Sequence, residues 1–289
     1  MQSARILGIF VKIRSRTSFA EIANGMPLCY SRAWNWLETE AAAMEQKRTW
    51  ELSVTSLQLI AMTAMLLDHI YYNRLLDWQW LTCVGRIAFP IYCFLAVEAF
   101  FHTRSFQRYL LRLLLFALLS EIPYDLMGSG QWFALRSQNV MWTLLLGLCG
   151  VWCMERAKQC SCRWVVFAVI PVVLYACWYL GNLGRVDYRG AGAMTVCVFW
   201  MFRGRKWWCL TGLFLSLLWI HTQLLRGYYY NISVFGVELG FGRQVLSLFA
   251  LLPILLYRGK RGFGGKGFQR LRYVFYPAHM LLLYLLRLC

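Results

Sequence analysis

The chain has 289 residues, 60% of them hydrophobic and only 15% charged, with a mean hydropathy of +0.48. A soluble domain carries about a quarter charged residues, so soluble, disordered, collagen-like and disulfide-scaffold classes are all excluded. The net charge of +17 would suggest nucleic acid on a soluble protein, but the basic residues fall mainly in short loops between apolar runs, and no nucleic-acid partner is expected. Most of the 11 cysteines sit inside apolar segments, where they act as small hydrophobes. Cys160 and Cys162 lack a second pair at zinc spacing, so neither a disulfide framework nor a metal is expected.

Residues 1–51 differ from the rest and read as a cytosolic or interfacial extension. Ile6–Val11 is too short for a signal-peptide core, and Trp34–Lys47 reads as a short helix. Residues 52–289 read as an all-α, polytopic integral membrane bundle of about nine spans (eight to ten). The expected spans cover about 53–71, 83–102, 109–127, 139–155, 164–180, 190–202, 207–225, 243–257 and 271–288, the sixth being short.

Placing the N-terminus in the cytoplasm puts loops 103–108, 155–163, 203–206 and 258–270 on the inside. Each carries more Lys and Arg than its outer neighbours, as the positive-inside rule requires. A multi-pass protein of the plasma (inner) membrane follows.

Ionisable groups within spans are expensive and therefore functional candidates. His69 falls about 24 Å along the first span, near the outer face with Asp68. Arg86, Glu121, Asp125, Asn139 and Asp187 lie on the same side, and His221 in the outer third of its span. His279 falls about 12 Å from the inner end, near the midplane. Arg86 is a natural partner for Glu121 or Asp125. A lone His221 on an apolar span reads as a hydrogen-bonded packing residue. Adjacent helical positions point about 100° apart, so Asp68 would orient some group other than His69. On the inner side, Glu98 and His102 form an i,i+4 carboxylate–imidazole pair ahead of Arg104, Arg108 and Arg112. The Arg258–Gly267 loop is glycine-rich and basic but lacks Walker A spacing.

Several strings together resemble one family. They include Leu-Leu-Asp-His69, Gly85-Arg-Ile-Ala-Phe-Pro90, Glu98-Ala-Phe-Phe-His-Thr-Arg104 and Tyr109-Leu-Leu-Arg112. Ser120-Glu-Ile-Pro-Tyr-Asp125, Asn139-Val, Asp187-Tyr, Gly259-Lys-Arg-Gly262 and Phe275-Tyr-Pro-Ala-His279 complete the series. Over about 52–288 the chain resembles the TraX family, and more distantly other transmembrane acyltransferases whose first span ends in His. The resemblance implies an acyltransferase that takes an acetyl group from cytosolic acetyl-CoA and is named for acetylation of a pilin N-terminus. Arg104, Arg108, Arg112, Lys260 and Arg261 would then receive the phosphates of CoA, with Glu98 and His102 in the same cofactor site. A neutral His suits the general base, His69 first and His279 second, with Asp68 in support. Arg86, Glu121, Asp125, Asn139 and Asp187 would face an amine or hydroxyl acceptor (a pilin-like N-terminus, a glycan or a small molecule) at the outer side. Direct transfer and an acyl-His intermediate both fit these residues.

A proton-coupled transporter or channel is the reading from another class, since buried His and carboxylates can form a relay. The lack of a visible internal repeat weighs against it.

Overall fold

Ser53 caps the first helix of the computed structural model, α1 (Val54–Tyr72), its Oγ accepting from the backbone N–H of Ser56 at 3.1 Å. The structure describes residues 51–160, 164–225, 227, 229–234, 237–262 and 264–289. The expected extension over 1–51 lies, apart from Glu51, outside them, as do Cys162 and Arg163.

The second expected span is broken. It divides into α2 (Gln79–Gly85) and α3 (Ala88–His102), with Arg86 at the break. Pro90 is tolerated because it sits in the first turn of α3, where no backbone donor is needed. Ser105 starts α4 (Phe106–Ser129), and Gly130, at φ 71°, ends it by donating its N–H to Leu126. Asn139 caps α5 (Val140–Lys158), its Oδ1 accepting from Met141 N–H at 3.0 Å. Next come α6 (Trp164–Leu183), α7 (Arg189–Met201) and α8 (Trp207–Trp219).

The short α7 is buried on nearly all sides, from Gly190 and Ala191 to Phe199 and Trp200. A helix apolar all round belongs inside a bundle. Glycines let it approach α6, for a Cβ on Gly190 would overlap the backbone of Trp178.

Beyond α8 the chain departs from the expected pattern. A π-helical turn, Ile220–Leu224, leads to an antiparallel hairpin, β1 (Tyr229–Val234) paired with β2 (Val237–Gly242). The expected span over 243–257 is a 3-10 stretch, Arg243–Ala250, followed by a six-residue α9, Leu251–Leu256. The last helix, α10, runs Lys266–Leu288, starting five residues earlier than expected.

Four stretches among the described residues are long and apolar enough to cross a membrane: Val54–Tyr72, Gln79–His102, Val140–Lys158 and Trp164–Leu183. The count of nine is therefore not matched. α4 and α10 are long but carry charges such as Arg108, Arg112, Glu121 and Arg272, while α7 and α8 have 13 residues each. Large apolar side chains, including Leu119, Phe167 and Trp178, point outward. Apolar helices wearing an apolar exterior make this a membrane protein.

Candidate functional site

At the end of the bundle where α1 finishes, His69 Nδ1 and His279 Nε2 are 2.8 Å apart and their ring planes differ by 2°. His279 Nδ1 lies 2.7 Å from the carbonyl oxygen of Phe275. A carbonyl only accepts, so that nitrogen carries the proton. With both rings neutral, His279 Nε2 is then bare and accepts from His69 Nδ1–H, which leaves the lone pair of His69 on Nε2. The tautomer of His69 is thus set by a backbone carbonyl two steps away.

The expected difference in depth between these two histidines is corrected. Because α10 begins at Lys266, His279 lies about 20 Å along it, close to the roughly 22 Å of His69 along α1.

Asp68 turns away from His69, as helix geometry requires. Its carboxylate accepts from Arg86 Nη2 and from Thr82 Oγ at 2.6 Å. Arg86 therefore neutralises Asp68 rather than Glu121 or Asp125. The pair is mostly buried, with side-chain exposures of 15% and 17%. Arg86 Nε also donates to the Thr82 carbonyl (3.3 Å) and Nη1 to Gln244 Oε1 (3.4 Å). Arginine only donates, so this contact fixes the Gln244 amide, whose Nε2 donates to His221 Nδ1 at 3.2 Å. Ser247 Oγ reaches the same nitrogen at 2.7 Å. His221 is a buried, hydrogen-bonded residue on the π-turn.

Glu121 Oε2 accepts from Asn139 Nδ2 and from Trp142 Nε1 at 3.1 Å, tying α4 to α5. Its Oε1 is buried without a hydrogen-bond partner among the described residues. Asp125 accepts from the N–H of Ala134 at 2.7 Å and so anchors the loop after α4. Gln138 and Val186 form an isolated bridge, and Thr143 Oγ donates to the Asp187 carbonyl. Asp187 itself accepts from Tyr188 N–H at 3.0 Å. Burial pushes its carboxyl up to about 6, against the opposing Tyr188 N–H and Arg86. Arg185, Tyr188 and Arg189 all have positive φ (50°, 58°, 51°), a strained run beside this carboxylate. Tyr124, Tyr188 and Tyr276 stand among these charges too, within electrostatic reach of Asp187. All three stand in strings that carry the family resemblance, yet sequence reasoning assigned none of them to the site because tyrosine is abundant in this chain.

At the other end, where α1 begins, lies a cavity of about 610 Å³. Its walls include Thr55, Gln58, Glu98, His102, Arg112, Arg261, Gly262 and Arg272. Glu98 and His102 do not pair through side chains. His102 Nδ1 donates to the Glu98 carbonyl at 2.7 Å, while the Glu98 carboxylate accepts from Arg203 at 2.9 Å. Arg104 and Arg108 are exposed and do not line the cavity. Lys260 contributes its carbonyl, which accepts from Val54 N–H at 2.9 Å, and the Arg261 carbonyl accepts from Thr55 Oγ at 3.1 Å. These bonds hold the glycine-rich loop against the start of α1. Arg272, whose Nη1 donates to Gln58, is a wall residue that the sequence did not signal. It falls one residue into the expected span over 271–288.

No solved structure matches the chain. A protein of Dichelobacter nodosus described as "Probable fimbrial assembly protein FimC, serogroup H1" is 31% identical over 255 residues, covering 82% of this chain and 96% of that one. The family described as TraX protein matches residues 53–287, a range that takes in both ends of the bundle from Ser53 to Arg287. The chain is a member of the TraX family.

Proposed function

We propose that the protein is a membrane-embedded acyltransferase that moves an acetyl group from cytosolic acetyl-CoA to an amine or hydroxyl acceptor at the outer side of a plasma (inner) membrane. The observation that carries this reading is the Phe275–His279–His69 chain, which leaves one imidazole nitrogen bare and aligned for proton removal. The similarity to a probable fimbrial assembly protein supports an acceptor on the outer side.

The cavity chemistry suits the donor. Among the described residues, Arg112, Arg261 and Arg272 share the cavity wall with one carboxylate, Glu98, which is already paired. Acetyl-CoA supplies an activated thioester. The protein's residues supply the rest. His69 Nε2 accepts the proton of the attacking amine or hydroxyl as the new bond to the acyl carbon forms, and the dyad with His279 spreads the resulting charge over two rings. The same proton passes to the CoA thiolate as the C–S bond breaks. Asp68 and Thr82 hold Arg86 beside the dyad, where its remaining N–H groups stabilise negative charge developing on the acyl oxygen. Asp187 and the Glu121 oxygen without a partner form the acidic side facing an acceptor.

The test is transfer itself. Purified full-length protein in detergent, given radiolabelled acetyl-CoA and a membrane extract of the source cells, should bind acetyl-CoA and pass label to an acceptor. The reading falls if it binds no acetyl-CoA and instead carries proton current in liposomes.

A further inference from the structure

Gln58, Met62, Met65 and His69 follow one another at i, i+4, i+7 and i+11 along α1 and so share one face. On α10, Arg272, Tyr276 and His279 do the same at i, i+4 and i+7. The two faces meet at both ends. Arg272 donates to Gln58 at the cavity, and His69 bonds His279 at 2.8 Å at the far end. Between these points Met65 and Tyr276 belong to one buried cluster.

The separations agree once side-chain length is included. Gln58 to His69 spans about 16 Å of helix, and Arg272 to His279 about 10 Å. Helical side chains lean toward the helix N-terminus, so the long Arg272 chain makes up the difference by reaching back to the cavity.

Arg272 also has a buried Nε with no hydrogen-bond partner among the described residues. Its guanidinium packs over the Phe268 ring with Cζ 5.3 Å from the centroid, and its remaining Nη N–H groups, in the wall of a cavity whose described carboxylate is already paired, suit a phosphate oxygen. Met65, buried in the cluster that holds Tyr276, and Met62, buried on the same face of α1, have unbranched, flexible chains, which can move aside for a slender ligand where branched residues would not.

We infer that the seam between α1 and α10 is the donor's track. The phosphate-bearing nucleotide end of acyl-CoA rests against Arg112, Arg261 and Arg272, and the thioester arm runs past Met62 and Met65 to His69. This rests on the acyltransferase reading and assigns the part of the protein that carries the acyl chain through it.

The test compares two probes, acetyl-CoA and adenosine 3′,5′-bisphosphate, by equilibrium binding to full-length protein in detergent. Arg272→Gln should weaken both by about ten-fold, the loss of one charge-assisted contact. Met65→Trp should weaken acetyl-CoA by a similar factor and leave the bisphosphate unchanged, which also shows that the variant is folded. Met65→Ala offers a second route, for it should raise the affinity of hexanoyl-CoA relative to that of acetyl-CoA. Unchanged acetyl-CoA binding in Met65→Trp, or unaltered chain-length preference in Met65→Ala, overturns the track while the acyltransferase reading stands. A wild-type chain that binds neither probe overturns both.

Discussion

Gly262 packs against Ser53 so closely that a Cβ on the glycine would overlap the serine side chain, and its φ of +78° lies in the region that favours glycine. Ser53 is the cap of α1, so this contact sets where the basic loop sits on the helix start. Gly262→Ala should reduce acetyl-CoA affinity and lower the melting temperature more than Gly259→Ala does. Gly259 shares the positive φ, at 83°, but a Cβ there would meet nothing within 4 Å. The backbone penalty alone is about 1 kcal/mol and is common to both variants. Equal effects at the two positions would show that the Ser53 contact is irrelevant.

The histidine dyad should behave as a unit. His69→Ala should lower turnover by about 10²–10⁴ while acetyl-CoA binding persists. His279→Ala should also lower turnover, because His69 loses the acceptor that sets its tautomer. The double variant should be no slower than His69→Ala, since residues acting together are non-additive. Multiplying losses in single-turnover assays would mean two independent roles.

Breaking the Asp68–Arg86 pair should be worse than removing it. Arg86→Met leaves a mostly buried carboxylate without its cation, a loss of roughly 3–5 kcal/mol. Asp68→Asn combined with Arg86→Gln should recover much of that stability, without recovering acetyl transfer. Thermal unfolding in detergent and the transfer assay read the two effects separately.

Asp187 gives a pH signature. Its folded carboxyl keeps the proton up to about pH 6, whereas an unfolded aspartate releases it near pH 3.9. Between those values the native state binds more protons, so this group makes stability fall as pH rises from about 4 to 6 and then level off. Arg86, Asp68 and Arg189 all act on it, so the comparison is made within one background. Asp187→Asn should flatten that part of the melting-temperature profile.

Topology has a direct readout. With a cytoplasmic N-terminus, Gly265→Cys, on a background from which all 11 native cysteines have been replaced, should react with an impermeant thiol reagent only after cells are opened. Labelling of intact cells would reverse the orientation and the side from which the donor enters.

Some of this was readable before any coordinates. The divergence of Asp68 and His69 follows from adjacent helical positions, and their distance from the cavity from helical rise alone. The partner of Arg86 was not readable, because Asp68, Glu121 and Asp125 are equal candidates by charge. What decides it is the break at Gly85–Ile87, which aims Arg86 at α1. The dyad was hidden by five residues. Hydropathy marks where α10 becomes apolar, but the helix starts earlier, among the charged residues from Lys266 onward. The hairpin falls in the loop between the expected spans over 207–225 and 243–257, and the alternation along Val237–Gly242 is a strand signal that a search for long apolar runs passes over.

The dyad ends on the main chain. Any residue that keeps α10 helical at position 275 presents the same carbonyl to His279, so the third member of this proton chain has no side chain to select. What Phe275 adds is its ring, stacked on His279 with centroids 4.7 Å apart and planes at 9°. Changes at 275 should therefore alter how firmly the imidazole is held while leaving its tautomer alone. A motif search for a third acid or amide completing the pair would find nothing, because that role belongs to helical geometry rather than to a letter in the sequence.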